Sequence, residues 1–130
     1  MAVERRNADG LAAPPGYTHV ATASGGLVFT AGAVPLDAEG ELVGPDDPVA
    51  QARQVLANLE VQLAVAGATP DDVVKTTVYV AGGSHERQGA VWEAVQASPF
   101  ATAPSTLLGV ALLGYRGQLV EIEAIAVIDR

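Results

Sequence analysis

The sequence predicts an α+β domain: one mixed β-sheet with two α-helices on one face, in the order ββαβαββ. Three observations carry that prediction. Val49, Ala52, Leu56, Leu59, Leu63 and Ala66 recur at spacings of three and four, the apolar stripe of an amphipathic helix. Segments rich in β-branched residues, several with two-residue alternation, stand before and after it. Glycine and proline clusters punctuate the boundaries. With 130 residues and 49% of them hydrophobic, the chain reads as a single globular domain over 1–130, residues 1–14 forming a loose N-terminal arm.

The elements follow in order. "YTHVATA" (17–23) reads as a strand and Gly25-Gly26 as a turn, leading into a second strand "LVFTAGAVPL" (27–36). So few residues separate the two that a hairpin between them is expected. Asp46 or Asp47 can cap the helix that follows, with Pro48 in its first turn and Gly67 at its end. "ATPDD" (68–72) offers a second cap and a single turn. "DVVKTTVYVA" (72–81) returns to strand character, with Val74, Thr76, Val78 and Val80 on one face and Lys75, Thr77 and Tyr79 on the other. Ser84 caps the second helix, "HERQGAVWEAVQA" (85–97). "STLLGVALL" (105–113) and "LVEIEAIAVI" (119–128) are the last strands, joined across "GYRGQ".

Composition excludes several classes of function. Fifteen acidic against seven basic residues give a formal net charge of −8, which disfavours phosphate-neutralising contacts with nucleic acid and attraction to anionic membranes. There is no cysteine, hence no disulfide, thiolate nucleophile or cysteine-bound zinc. The N-terminus "MAVERRNADG" carries no signal-like apolar run and no stretch of eighteen apolar residues exists, so a cytoplasmic protein is expected. His19 and His85 lack metal-ligand spacing, and no nucleotide-binding or serine-hydrolase motif occurs. No metal and no cofactor are expected. The paired aspartates at 46–47 and 71–72 are explained by helix capping.

The last strand poses the chemical question. Even positions Val120, Ile122, Ala124, Ala126 and Ile128 suit a core beneath the helices, while Leu119, Ile125 and Val127 make the other face apolar as well. A sheet covered on one side only needs a partner for the second, so a homo-oligomer packed through open sheet faces is expected. Glu121 and Glu123 share that second face. They either meet solvent or an ion-pair partner such as Lys75, or one occupies a water-poor pocket and handles protons. Pattern alone does not choose between these readings.

Several stretches together resemble the RidA family, also called YjgF or L-PSP. "VEIEAIAV" (120–127) is similar to that family's last strand, "LVFTAGAVPLDAEGELVG" (27–44) to its second-strand motif, and "QARQVLANLEVQLAVAGATPDDVVKTTVYV" (51–80) to its first helix and next strand. "PGYTHV" (15–20) resembles its N-terminal motif, so the likeness runs from about Pro15 to Val127. The resemblance implies a chorismate-mutase-like α+β fold and a homotrimer whose sheets pack as a central barrel. It also implies small-molecule pockets in the clefts between subunits. The activity implied is cofactor-free hydrolysis of enamines and imines, such as 2-iminobutanoate and 2-iminopropanoate, to ketoacids and ammonia.

Carried over by position, Glu121 matches the family's catalytic glutamate, Tyr17 its pocket tyrosine and Gly32 the glycine of its Ser-Gly-Gln segment, whose flanking residues are here Ala31 and Ala33. The resemblance thereby makes Glu121 the pocket candidate and leaves Glu123 for a pair with Lys75. The family's helical asparagine falls on Gly89, three before Trp92. Its substrate-binding Pro-Ala-Arg-[Ser/Thr] segment is here "APST" (103–106), which puts Ser105, or Thr106 with the gap placed otherwise, at the arginine. A desolvated Arg–carboxylate contact is worth about 2–5 kcal/mol, and one neutral hydrogen bond from Ser105 about 1. Arg116 and Arg87 are the cations that could replace it. Three functions follow: a deaminase with altered or reduced activity, a non-catalytic ligand-binding or regulatory trimer, and, disfavoured by charge, an endoribonuclease.

Overall fold

A computed structural model describes residues 3–129. Its elements are β1 (Val3–Arg6), β2 (Val20–Ala23), β3 (Gly26–Phe29), α1 (Pro48–Val65), a single 3-10 turn (Pro70–Asp72), β4 (Val73–Ala81), α2 (His85–Gln96), β5 (Ser105–Val110) and β6 (Val120–Ile128). The four-stranded sheet runs β3-β6-β4-β5, with β4 and β5 parallel and the other neighbours antiparallel. The α+β class holds, with two helices against a mixed sheet.

The helices begin and end where local chemistry dictates. Asp47 caps α1, its carboxylate accepting from Ala50 N at 3.0 Å, while Asp46 takes a left-handed φ of 59° that a short polar residue tolerates. Gly67, at φ 76°, closes it: Gly67 N and Ala68 N donate to the carbonyls of Ala64 and Leu63. Ser84 caps α2 by accepting from Arg87 N. Ala52, Val55, Leu56, Leu59 and Leu63 of α1 and Val91 and Val95 of α2 pack onto Val73, Val78 and Val80 of β4 and onto Val120, Ile122, Ala124 and Ala126 of β6. No helix among the described residues is long and apolar enough to cross a membrane.

Three expectations about the N-terminal third are corrected. First, the arm is not loose throughout: Val3–Arg6 is a strand paired antiparallel with β2, which makes the order βββαβαββ. The Arg5 guanidinium fixes it, donating to the carbonyls of Asp71 and Val73 at 2.7 and 2.8 Å. Second, the hairpin between 17–23 and 27–36 does not form, because β2 pairs with β1 whereas β3 pairs with β6. Gly25, at φ 124°, turns the chain so tightly against β6 that a Cβ there would meet the Ile128 carbonyl at 2.4 Å. Third, the strand expected over 27–36 ends at Phe29.

The reason for that last break positions the site. After the Phe29↔Ile125 pair the Thr30 hydroxyl accepts from Ala124 N at 3.0 Å, a place in the ladder normally filled by a carbonyl. Pairing resumes at Ala33↔Ile122, so four steps on one strand face three on the other. The extra residue is a β-bulge, the device that re-aims a chain beside a functional side chain. Gly32 lies within it.

Candidate functional site

On the sheet face away from the helices, β6 carries Glu121 and Glu123 opposite Tyr79 and Thr77 of β4. Neighbouring positions on this face are Leu27 and Phe29 of β3, 63% and 69% exposed, together with Ile125. Leu27 and Phe29 thus leave an exposed apolar area on the same face as the two glutamates.

Glu121 is held from two sides. Gln118, only 3% exposed, donates from Nε2 to Glu121 Oε1 at 3.0 Å and to the Val120 carbonyl. Its own Oε1 accepts from Tyr115 N at 3.1 Å, which fixes the amide. The second oxygen of Glu121 lies against the bulge: a Cβ built on Gly32 would stand 2.1 Å from Glu121 Oε2. Gly32 has no positive φ that would require glycine, so space for the carboxylate is what excludes a side chain there. The sequence pointed to both Glu121 and Gly32, and the structure brings them together. Sequence reasoning does not point to Gln118; a lone glutamine before the motif carries no sign of its burial.

Glu123 does not pair with Lys75 as expected. The Tyr79 hydroxyl donates to Glu123 in a short hydrogen bond. The register sets Lys75 opposite Ile125, and its ammonium donates to the Thr106 hydroxyl at 2.7 Å. Among the described residues the one ion pair is Arg6–Glu4, at 3.8 Å on the surface. The bond to Glu123, then desolvation, then the charges of Glu123 and Glu121 raise the Tyr79 pKa above its ordinary 10.0. The folded state therefore holds this proton more tightly than the unfolded chain. The stabilisation is complete below a pH of about 10 and is lost as pH rises through the folded value. Tyr79→Phe is expected to flatten that alkaline loss in urea-unfolding midpoints followed between about pH 8 and 11.

The remaining candidates form a second group. Tyr17 meets Trp92 edge to face, ring centroids 6.1 Å apart, and touches His19 similarly at 6.2 Å. The Trp92 indole N–H donates to the Pro15 carbonyl at 3.1 Å, and the Gln96 amide donates to the same oxygen. Between α2 and β5 opens a cleft of about 290 Å³ lined by His85, Gln88, Gly89, Trp92, Ser105 and Leu107. Ser105 Oγ accepts from the buried Thr76 hydroxyl at 2.8 Å, so it faces the helix side. Thr106 faces the other way, with Lys75.

Ser105 and Glu121 consequently occupy opposite faces of one sheet, on strands separated by β4. One chain does not bring them together. Neither arginine considered as a replacement cation lines the cleft. Arg87 donates to the Ala81 carbonyl at 2.9 Å and packs on Gly83, and Arg116 stands exposed in the loop before β6.

Comparison with known proteins gives a consistent result. The family described as Endoribonuclease L-PSP matches residues 8–128. A 2-iminobutanoate/2-iminopropanoate deaminase of Salmonella typhimurium is 38% identical over 105 residues, covering 79% of this chain and 80% of the relative. A RutC family protein of Synechocystis is 38% identical over 120 residues, covering 89% of each. The crystal structure of the Rid family protein YyfB of Yersinia pestis superposes with a TM-score of 0.86 at 36% identity, over 98% of this chain and 100% of that one. The sheet order, the bulge at Gly32 and the "VEIEAIAV" strand thus stand in a chain that belongs to the RidA/YjgF/L-PSP family.

Proposed function

We propose that this protein hydrolyses an imine or enamine to a carbonyl compound and ammonia, with Glu121 handling the water. The observation that carries the reading is the pairing of Glu121 with a side-chain-free bulge at Gly32: the carboxylate is braced by Gln118 on one oxygen, with the chain cleared around the other. In such a site the carboxylate takes a proton from water as its oxygen attacks the C=N carbon. It gives that proton to the imine nitrogen to complete the carbinolamine, then takes the carbinolamine's hydroxyl proton and hands it to nitrogen as the C–N bond breaks. Water supplies the carbonyl oxygen, ammonia leaves, and no cofactor enters the balance.

In this reading the protein is a cytoplasmic homotrimer. Exposed Leu27 and Phe29 favour closure of the open sheet face against other copies. The site is then completed where the Tyr17–Trp92–Ser105 side of one copy meets the Glu121–Gly32 side of another, which is how residues on opposite sheet faces come to act on one small molecule.

The test is release of carbonyl product from freshly generated 2-iminobutanoate and from an imine without a carboxylate. Glu121→Gln is expected to lower the accelerated rate by at least about 100-fold, the usual contribution of a positioned acid–base group. Rates equal to buffer for both substrates would overturn the proposal in favour of a second reading, a trimer that binds such compounds without turning them over. The cleft favours that alternative to the extent that it holds a serine and a glycine where cation and amide would act. The net charge of −8 speaks against ribonuclease action.

A further inference from the structure

From the lining of the α2–β5 cleft we infer that this protein selects ligands with a flat apolar or aromatic group and no carboxylate next to the reacting carbon. The inference rests on the reading that this cleft is the binding half of the site. Among the described residues, no guanidinium or ammonium lines it. An anionic group placed there would shed water without meeting a fixed cation.

The polar groups of Trp92 and Ser105 are committed within the chain, while His85 and Gln88 supply the remaining polar lining. Trp92 spends its indole N–H on the Pro15 carbonyl, and the edge contact from Tyr17 sets the ring's orientation, so the tryptophan offers the cleft an apolar surface. Ser105 already accepts from Thr76 and keeps one hydroxyl proton to give. Leu107 adds a second apolar wall.

Gly89 supplies the independent observation. It sits inside α2, where glycine is intrinsically unfavourable relative to alanine, without a positive φ. A Cβ built there meets nothing within 4 Å. Nothing among the described residues requires a glycine at this position. Its effect is to leave room beside the indole, which suits an occupant from outside the chain: the flat group of the ligand.

The chain's single tryptophan is Trp92, so one indole N–H cross-peak in a 15N–1H NMR spectrum of the intact protein reports on the cleft directly. Acetophenone and phenylglyoxylate share a ring and a ketone and differ by the carboxylate, and neither hydrolyses during a titration. Acetophenone is expected to move that peak saturably, with a Kd at least tenfold lower than that of phenylglyoxylate. Ser105→Arg is expected to reverse the order. Gly89→Leu is expected to abolish acetophenone binding while the unfolding midpoint and the mass in solution stay as they were.

Equal or tighter binding of phenylglyoxylate overturns the inference, and its loss in Arg116→Ala would identify a cation delivered by that loop. A changed mass in Gly89→Leu would also overturn it, by showing that a second copy fills the space. The failures remain separable. Glu121-dependent hydrolysis confined to carboxylate-bearing imines leaves the proposed chemistry standing without this selectivity. Selective acetophenone binding with no turnover of any imine does the reverse.

Discussion

Replacing Gln51 by leucine is expected to destabilise the fold by roughly 3–5 kcal/mol, because it strands three backbone groups at once. The side chain is fully buried at the start of α1. Its amide donates to the carbonyls of Gly44 and Gly117 at 3.0 and 3.1 Å, and its Oε1 accepts from Leu119 N at 2.7 Å. Leucine has nearly the same size, so the loss is one of hydrogen bonds and not of packing. Each unsatisfied group costs about 1–3 kcal/mol, and the loop carrying Gln118 is anchored on both sides of that residue by these contacts. Urea unfolding is the measurement; a change below about 1 kcal/mol would mean that water replaces all three bonds. A reduced m-value would point instead to a loosened native state.

If the protein hydrolyses imines as proposed, Gly32→Ala is expected to lower that turnover by about 100-fold, the effect of misplacing a reacting group by an ångström. The added methyl would stand 2.1 Å from Glu121 Oε2 and 2.5 Å from its carboxyl carbon, so the carboxylate must swing away. That motion breaks the Gln118 contact but touches no core residue, so unfolding stability should change far less than activity. The informative comparison is with Glu121→Gln, which leaves the shape and removes the proton-handling. If Gly32→Ala has normal kcat and KM, the carboxylate's position is immaterial to the reaction and the role given to Glu121 falls.

What could be seen beforehand followed the range of the interactions responsible. Asp47, Gly67 and Ser84 act on groups within a few residues, so the ends of both helices were legible. Strand β1 was not, since "VERR" has no apolar run and the bonds that hold Arg5 reach across 66 and 68 positions. The bulge was invisible because a threonine hydroxyl takes a carbonyl's place, which no periodicity records. Alternation correctly gave Glu121, Glu123 and Lys75 one face but not the register along it; Lys75 stands opposite Ile125, and Tyr79 reaches Glu123 instead. Glu121 and Gly32 came from motif likeness, while the amide of Gln118 became a site residue only through geometry.

The separation of Ser105 from Glu121 by a strand and a sheet face has a consequence for how such a protein changes over time. The cleft belongs to a β4–α2–β5 crossover, and the braced carboxylate to the antiparallel β3–β6 edge with its bulge. The two units share the β4–β6 ladder, yet Ser105 and Glu121 lie on opposite faces of the sheet and have separate hydrogen-bond partners. In the proposed reading, the residues that would choose a molecule can therefore be exchanged without replacing those that would act on it.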